Sequence, residues 1–214
     1  MTTILAFDTS QQCCSIAIAQ DGTILTQRSE PMAMGQSEVL VPALLQALAD
    51  VNLKPQDLNK IITITGPGSF TGLRVSLATA QGMGLGLSIP VVGIDAFTAY
   101  ASCVFTERNI LVVIDSQKQD VYCQLFSASR GPLKEPAAIN PAHLPDYVGT
   151  EPFVLIGTGI NKILPILDEN NLHYETSQVK PDQICRAICL LAELPHENLL
   201  PIYLKDALVT KPTS

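Results

Sequence analysis

The chain has 214 residues, enough for one or two domains and for a core that needs no disulfide or metal to hold it. Apolar residues make up 47% and charged residues only 15%, which excludes a disordered chain and leaves little charge to cover the surface. The balance of 13 basic to 20 acidic residues, with no run of Lys or Arg, argues against a protein that grips RNA or DNA by itself.

The opening residues lack a basic segment and place Asp8 within the first apolar run, which does not fit a signal peptide. No stretch of about 18 apolar residues runs without polar interruption, so a cytoplasmic chain with no membrane contact is expected. Cys13, Cys14, Cys103, Cys123, Cys185 and Cys189 fall inside apolar periodic segments and read as buried free thiols. Cys185 and Cys189 share a helix face, but His143, His173 and His196 supply no second pair of ligands, so no metal is expected.

In chain order, residues 4–7 form a short apolar strand ending in Asp8-Thr9-Ser10. Residues 13–19 alternate, and Asp21-Gly22 is a hairpin signal leading into a third strand over 23–28. The spacing then becomes helical over 37–50, with Val41, Leu44, Leu45 and Leu48 on one stripe and Pro42 near the start. A strand over 60–65 is broken by Gly66-Pro67-Gly68-Ser69, and a helix is predicted over 71–87. Residues 91–94 are a strand, and Asp95 caps a helix to about 104. The order βββαβαβα matches the half-domain of the ribonuclease H and actin-like superfamilies.

The second half restarts the pattern. Residues 110–114 end in Asp115 as the first strand ends in Asp8, and 121–126 form a second strand before a turn at Gly131-Pro132. A short helix over 142–148, a strand over 153–156, Gly157-Thr158-Gly159, and helices over 161–167 and 181–193 follow. The expected fold is α/β, a duplicated ribonuclease H-like and actin-like fold with mixed sheets flanked by helices. Its domains would be 1–107 and 108–214, the tail after Pro201 packing back on the first.

Few residues suggest catalysis, and no Ser-His-Asp or Cys-His set emerges. Asp8-Thr9-Ser10 ends a strand where actin-like kinases hold phosphate and magnesium, yet Gln11-Gln12 replace the glycine that lets backbone amides approach. Asp8 capping its own turn is the simpler reading. The stretch Gly66-Pro67-Gly68-Ser69-Phe70-Thr71-Gly72-Leu73-Arg74 lacks the Lys-Ser/Thr ending of a Walker loop, although its glycines could form an anion nest. Asp8, Thr9, Ser10, Gly68 and Arg74 are therefore the candidate anion or nucleotide contacts. Arg74 opposes the helix dipole by about 0.3–1 kcal/mol, so it needs an anion, a partner's carboxylate, or an ion pair with Asp8 or Asp95.

Gly72, Ser76, Ala80 and Gly84 recur every fourth residue beside Leu73, a ridge of small residues that would let another helix approach closely. Neither this helix nor the one over 37–50 shows a polar face. We expect the pair to be covered by another subunit, with Ser37, Val41, Leu44, Leu45, Leu48, Gly72, Leu73, Ser76, Ala80 and Gly84 at the contact.

Residues 4–10, Ser37-Glu38 with Leu40-Val41-Pro42, and above all 66–74 running into Ala80-Gln81-Gly82 resemble the TsaB/YeaZ family of actin-like proteins. Weaker echoes are Ile114-Asp115 with Val121-Tyr122, Gly157-Thr158-Gly159 and Pro201-Ile202-Tyr203-Leu204-Lys205. The resemblance implies a non-catalytic subunit in threonylcarbamoyl-adenosine modification of tRNA beside the anticodon. It implies docking on a catalytic TsaD-type paralogue through a helix bundle, with a TsaE-type ATPase joining and a homodimer forming when the chain is alone. ATP and metal would belong to those partners, and tRNA contact would be indirect. The competing expectations are a small actin-like kinase or nucleotide hydrolase and a glycoprotease-like peptidase.

Overall fold

The computed structural model describes residues 1–11, 13–32, 34–191 and 199–204, without the side chains of 181 and 182. The expected helix end at Glu193, as well as His196 and Lys205, lie outside them.

Two five-stranded mixed sheets repeat one topology. In the first, β1 (Thr3–Asp8), β2 (Cys13–Gln20), β3 (Thr23–Pro31), β4 (Lys60–Gly66) and β5 (Val91–Asp95) lie in the order β3-β2-β1-β4-β5. In the second, β6 (Asn109–Asp115), β7 (Val121–Phe126), β8 (Ala137–Ile139), β9 (Phe153–Ile156) and β10 (Tyr174–Thr176) take the order β8-β7-β6-β9-β10. Each opens with an antiparallel meander and continues with parallel pairings, β1 with β4 and β6 with β9. Asp21 and Gly22, with φ of 47° and 78°, make the tight turn expected between β2 and β3.

Among the described residues six helices flank the sheets: α1 (Gln36–Asp50), α2 (Phe70–Leu87), α3 (Ala96–Ser102), α4 (Leu144–Val148), α5 (Ile160–Glu169) and α6 (Pro181–Leu190). Ser69 caps α2 by accepting from the Gly72 N–H, and Asp95 caps α3 by accepting from the Thr98 N–H. Pro42 lies inside α1, past its first turn, where it offers no backbone N–H to the helix. The fold departs from the sequence reading in three places. Strands β8 and β10 appear in addition, α3 stops at Ser102, and the 142–148 helix is a 3-10 turn at Pro141–His143 followed by α4.

The packing crosses the repeat. α6, late in the chain, lies on β1, β2 and β3 of the first sheet, and α3 reaches β6 and β7 of the second. One apolar core therefore spans both sheets, joining Ala6, Ala17 and Ile62 to Phe97, Val112, Ile114, Ile184 and Ile188. A separate core fills the far side of the first sheet, where Leu5, Phe7 and Ile16 meet Leu40, Leu44, Leu48 and Ala80 of α1 and α2. That placement leaves the outer sides of α1 and α2 facing away from the rest of the protein. The six cysteines are free thiols, five of them buried. Among the described residues no helix is long and apolar enough to cross a membrane.

Candidate functional site

Asp8, Thr9 and Ser10 are bonded to the protein's own groups. The Asp8 carboxylate accepts from the Ser10 N–H at 2.8 Å, as a turn cap should, and only 2% of the residue is exposed. Burial pushes its carboxyl up to about 6, against the lowering effect of the Ser10 hydrogen bonds. Thr9 donates its N–H to Ser76 Oγ at 3.0 Å and its hydroxyl to the Gly72 carbonyl at 2.7 Å. The glycine turn backs directly onto these residues: a Cβ on Gly68 would lie 2.8 Å from Ser10 Cβ. The Ser69 N–H donates to the Ser10 carbonyl, and the Gly72 N–H donates to Ser69 Oγ. Within the turn, the Ser69 and Gly72 N–H groups are therefore engaged in internal bonds.

Across the cleft, Asp115 pairs with the Lys162 ammonium, and its N–H donates to Thr158 Oγ1 at 3.0 Å. Thr158 in turn reaches Gln11 Oε1 at 3.5 Å, while Gln11 Nε2 donates to the Pro67 carbonyl at 3.2 Å. Ser10, Gln11, Ser69, Asp115, Gln117 and Thr158 line a cavity of about 120 Å³, and Thr158 also borders a second cavity of about 340 Å³ with Gly157, Asn161 and Gln178. Pockets that take small molecules hold about 300–1,000 Å³. Of the five candidate anion contacts, four gather at this turn, and Arg74 stands apart on the outer side of α2.

The helix pair requires a larger correction. Gly72, Leu73, Ser76, Ala80 and Gly84 are buried, as are Leu44 and Leu48 of α1. A Cβ on Gly72 would fall on the Thr9 carbonyl oxygen, and one on Gly84 would fall on the Val91 side chain. The ridge of small residues admits the protein's own first sheet, not a partner helix. Periodicity identifies such a row but not which side of it faces in.

The outer face is carried by other residues. Of the predicted contacts only Ser37, Val41 and Leu45 are exposed there, Val41 by 43% and Leu45 by 47%. Phe70, Ala78, Gly82, Leu85 and Gly86 join them on α2, and Leu85 is 85% exposed. These exposed apolar positions, with Glu38, Gln46, Arg74 and Gln81 among them, lie on two adjacent helices, a surface of the kind that marks a protein contact. Arg74 pairs with neither Asp8 nor Asp95; its guanidinium carbon lies over the Phe70 ring, 3.9 Å from the centroid. Phe70 packs in turn against Tyr203, centroids 5.4 Å apart. The tail is held there because the Ile202 N–H donates to the Thr65 carbonyl at 2.7 Å. Gly66, with φ of 117°, makes room: a Cβ would come within 2.8 Å of the Ile202 carbonyl.

Repeated sheets, a shared core and strand-end Asp8 and Asp115 define a duplicated actin-like α/β protein. Residues 31–152 match the family model "TsaD: tRNA N6-adenosine threonylcarbamoyltransferase". The chain is 29% identical over 147 residues to the tRNA threonylcarbamoyladenosine biosynthesis protein TsaB of Bacillus subtilis, covering 68% of this chain and 64% of that one. It is 30% identical over 122 residues to the Escherichia coli TsaB protein, covering 56% and 52%. The matched stretch thus spans less than two thirds of the length of either relative. The YeaZ structure from Pseudomonas aeruginosa superposes with a TM-score of 0.77 at 22% identity, covering 95% of this chain and 100% of that one. The chain belongs to the threonylcarbamoyltransferase family, on its TsaB/YeaZ branch.

Proposed function

We propose that the chain is a non-catalytic subunit in the biosynthesis of tRNA threonylcarbamoyladenosine. It docks the outer face of α1 and α2 on a TsaD-type transferase and activates it. The observation that carries this reading is the solvent-facing apolar surface of Val41, Leu45, Phe70, Ala78 and Leu85, on a chain whose relatives are named for this pathway. On this reading ATP and metal belong to the partner subunits, and tRNA is contacted only indirectly. A TsaE-type ATPase would join the assembled pair, and the same helix face would join two copies of the chain when the transferase is absent.

The division into lobes at 1–107 and 108–214 belongs to the same proposal. The first lobe carries the docking helices, and the second supports it through the shared core.

Reconstitution tests the reading. Purified transferase and ATPase subunits should modify tRNA poorly alone and efficiently once this chain is added. Equal modification with and without the chain would overturn the reading.

A further inference from the structure

Away from α1 and α2, the two helices that cross the repeat meet beside a groove. The end of α3 and the turn after β7 form one wall and the last turns of α6 form the other, enclosing about 450 Å³, within the range of cavities that take small molecules. Cys103, Phe105, Leu190 and Leu191 supply apolar surface, and Arg130 and Arg186 supply two guanidinium groups. Phe105 is 87% exposed and Leu190 51%, so much of that apolar surface is open. Burial pushes the Cys103 thiol up to about 11, which makes it a wall and not a nucleophile.

Arg130 is fixed in place within the free chain. Its Nε and Nη2 both donate to the Val104 carbonyl, at 3.3 Å and 3.0 Å, and its guanidinium carbon lies 4.5 Å from the centroid of the Phe105 ring. The residue has a φ of 66°, a left-handed backbone that favours glycine, with Gly131 next to it. The turn thus carries arginine at a backbone cost, and the guanidinium is what it gains. Among the described residues neither Arg130 nor Arg186 pairs with a carboxylate, in a chain of 20 acidic and 13 basic residues.

We propose that this groove binds a small organic anion, a flat apolar body bearing a carboxylate or phosphate. The guanidiniums of Arg130 and Arg186 receive the head group, since the planar fork of Arg matches either oxyanion. The apolar body lies against Phe105, Leu190 and Leu191. Filling the groove strips water from both guanidiniums, and a desolvated cation without an anion is costly, so a neutral body of the same shape is disfavoured. No lining residue belongs to α1 or α2, so the site is independent of the docking face.

Calorimetric titration of the full chain with naphthoate, naphthyl phosphate and the neutral naphthamide tests this, with a melting curve for each variant. One anion or both should bind with a Kd below about 1 mM and raise the melting temperature, and the amide should bind about tenfold or more weakly. The tighter of the two anions identifies the head group. Arg186→Gln, at an exposed position of α6, should melt like wild type and weaken the anion about tenfold, and Arg130→Gln should weaken it as much. Equal affinity for the amide and the anions overturns the proposal, as does wild-type affinity in both arginine variants. Failure of either anion to bind also overturns it. If the anions then bind once Glu193→Gln and Glu197→Gln are combined, the occupant is the chain's own segment 192–198, which lies outside the described residues. Each of these results leaves the docking reading untouched.

Discussion

Arg74 lies over the ring of Phe70, 3.9 Å from its centroid, and Phe70 packs on Tyr203 from the tail of the chain. The stack ties the start of α2 to the returning C-terminal segment and holds a cation at the edge of an apolar face. It also explains how a cation is tolerated near the positive end of a helix. Ring contact supplies about 0.5–1 kcal/mol at an exposed site, comparable to the dipole cost.

The inward ridge predicts that enlarging it damages the fold rather than the surface. Ala80→Leu and Gly84→Leu must displace the first sheet or Val91, costing about 1–3 kcal/mol or more. Chemical denaturation of the isolated chain should show both variants destabilised. A wild-type midpoint for Gly84→Leu would contradict the packing described.

Gly82 gives the opposite expectation. Its Cβ position is open, so Gly82→Ala should stabilise the isolated chain by about 0.5–1 kcal/mol through helix propensity alone. Thermal unfolding reads this directly, and a lower melting temperature would contradict the open environment.

Ser76 accepts the Thr9 N–H at 3.0 Å and lies 2.8 Å from the Thr9 hydroxyl, all of it buried. Ser76→Ala leaves that N–H without a partner and should cost about 1–3 kcal/mol. Denaturant titration should show a lower midpoint with an unchanged slope.

Asp8 predicts a pH dependence. Its folded-state pKa, about 6, is raised above the usual carboxylate value of 3.8. Such a group contributes fully below the unfolded value, and its contribution is lost as pH rises through 6. Above that, the buried charge costs about 3 kcal/mol. Asp8→Asn keeps the oxygen that accepts from Ser10 and removes the charge. It should melt above wild type at pH 7.5, the difference shrinking toward pH 4. A variant less stable than wild type at pH 7.5 would contradict this.

The sequence makes the local elements legible because their signals are local. Asp21-Gly22 specifies a hairpin, Asp95 and the 66–74 turn mark helix starts, and Asp8 and Asp115 expose the duplication. Strands β8 and β10 escape because three residues cannot display an alternating pattern. The seat of α6 on the first sheet escapes because only long-range packing decides it. At the site, the oily character of both helices is legible but its direction is not. A helix against a sheet needs small residues where the sheet comes close, and a partner can ask for the same. Gly72 and Gly84 answer the sheet, whereas Gly82 and Gly86 face out, and composition alone does not separate them.

Sedimentation velocity of an equimolar mixture with the TsaD-type subunit tests the central claim most directly, using wild type and Leu85→Asp. Wild type should give one faster-moving complex. Leu85→Asp should give two separate species, with the variant folded as judged by its own melting curve. Co-sedimentation of Leu85→Asp at wild-type affinity would contradict the claim.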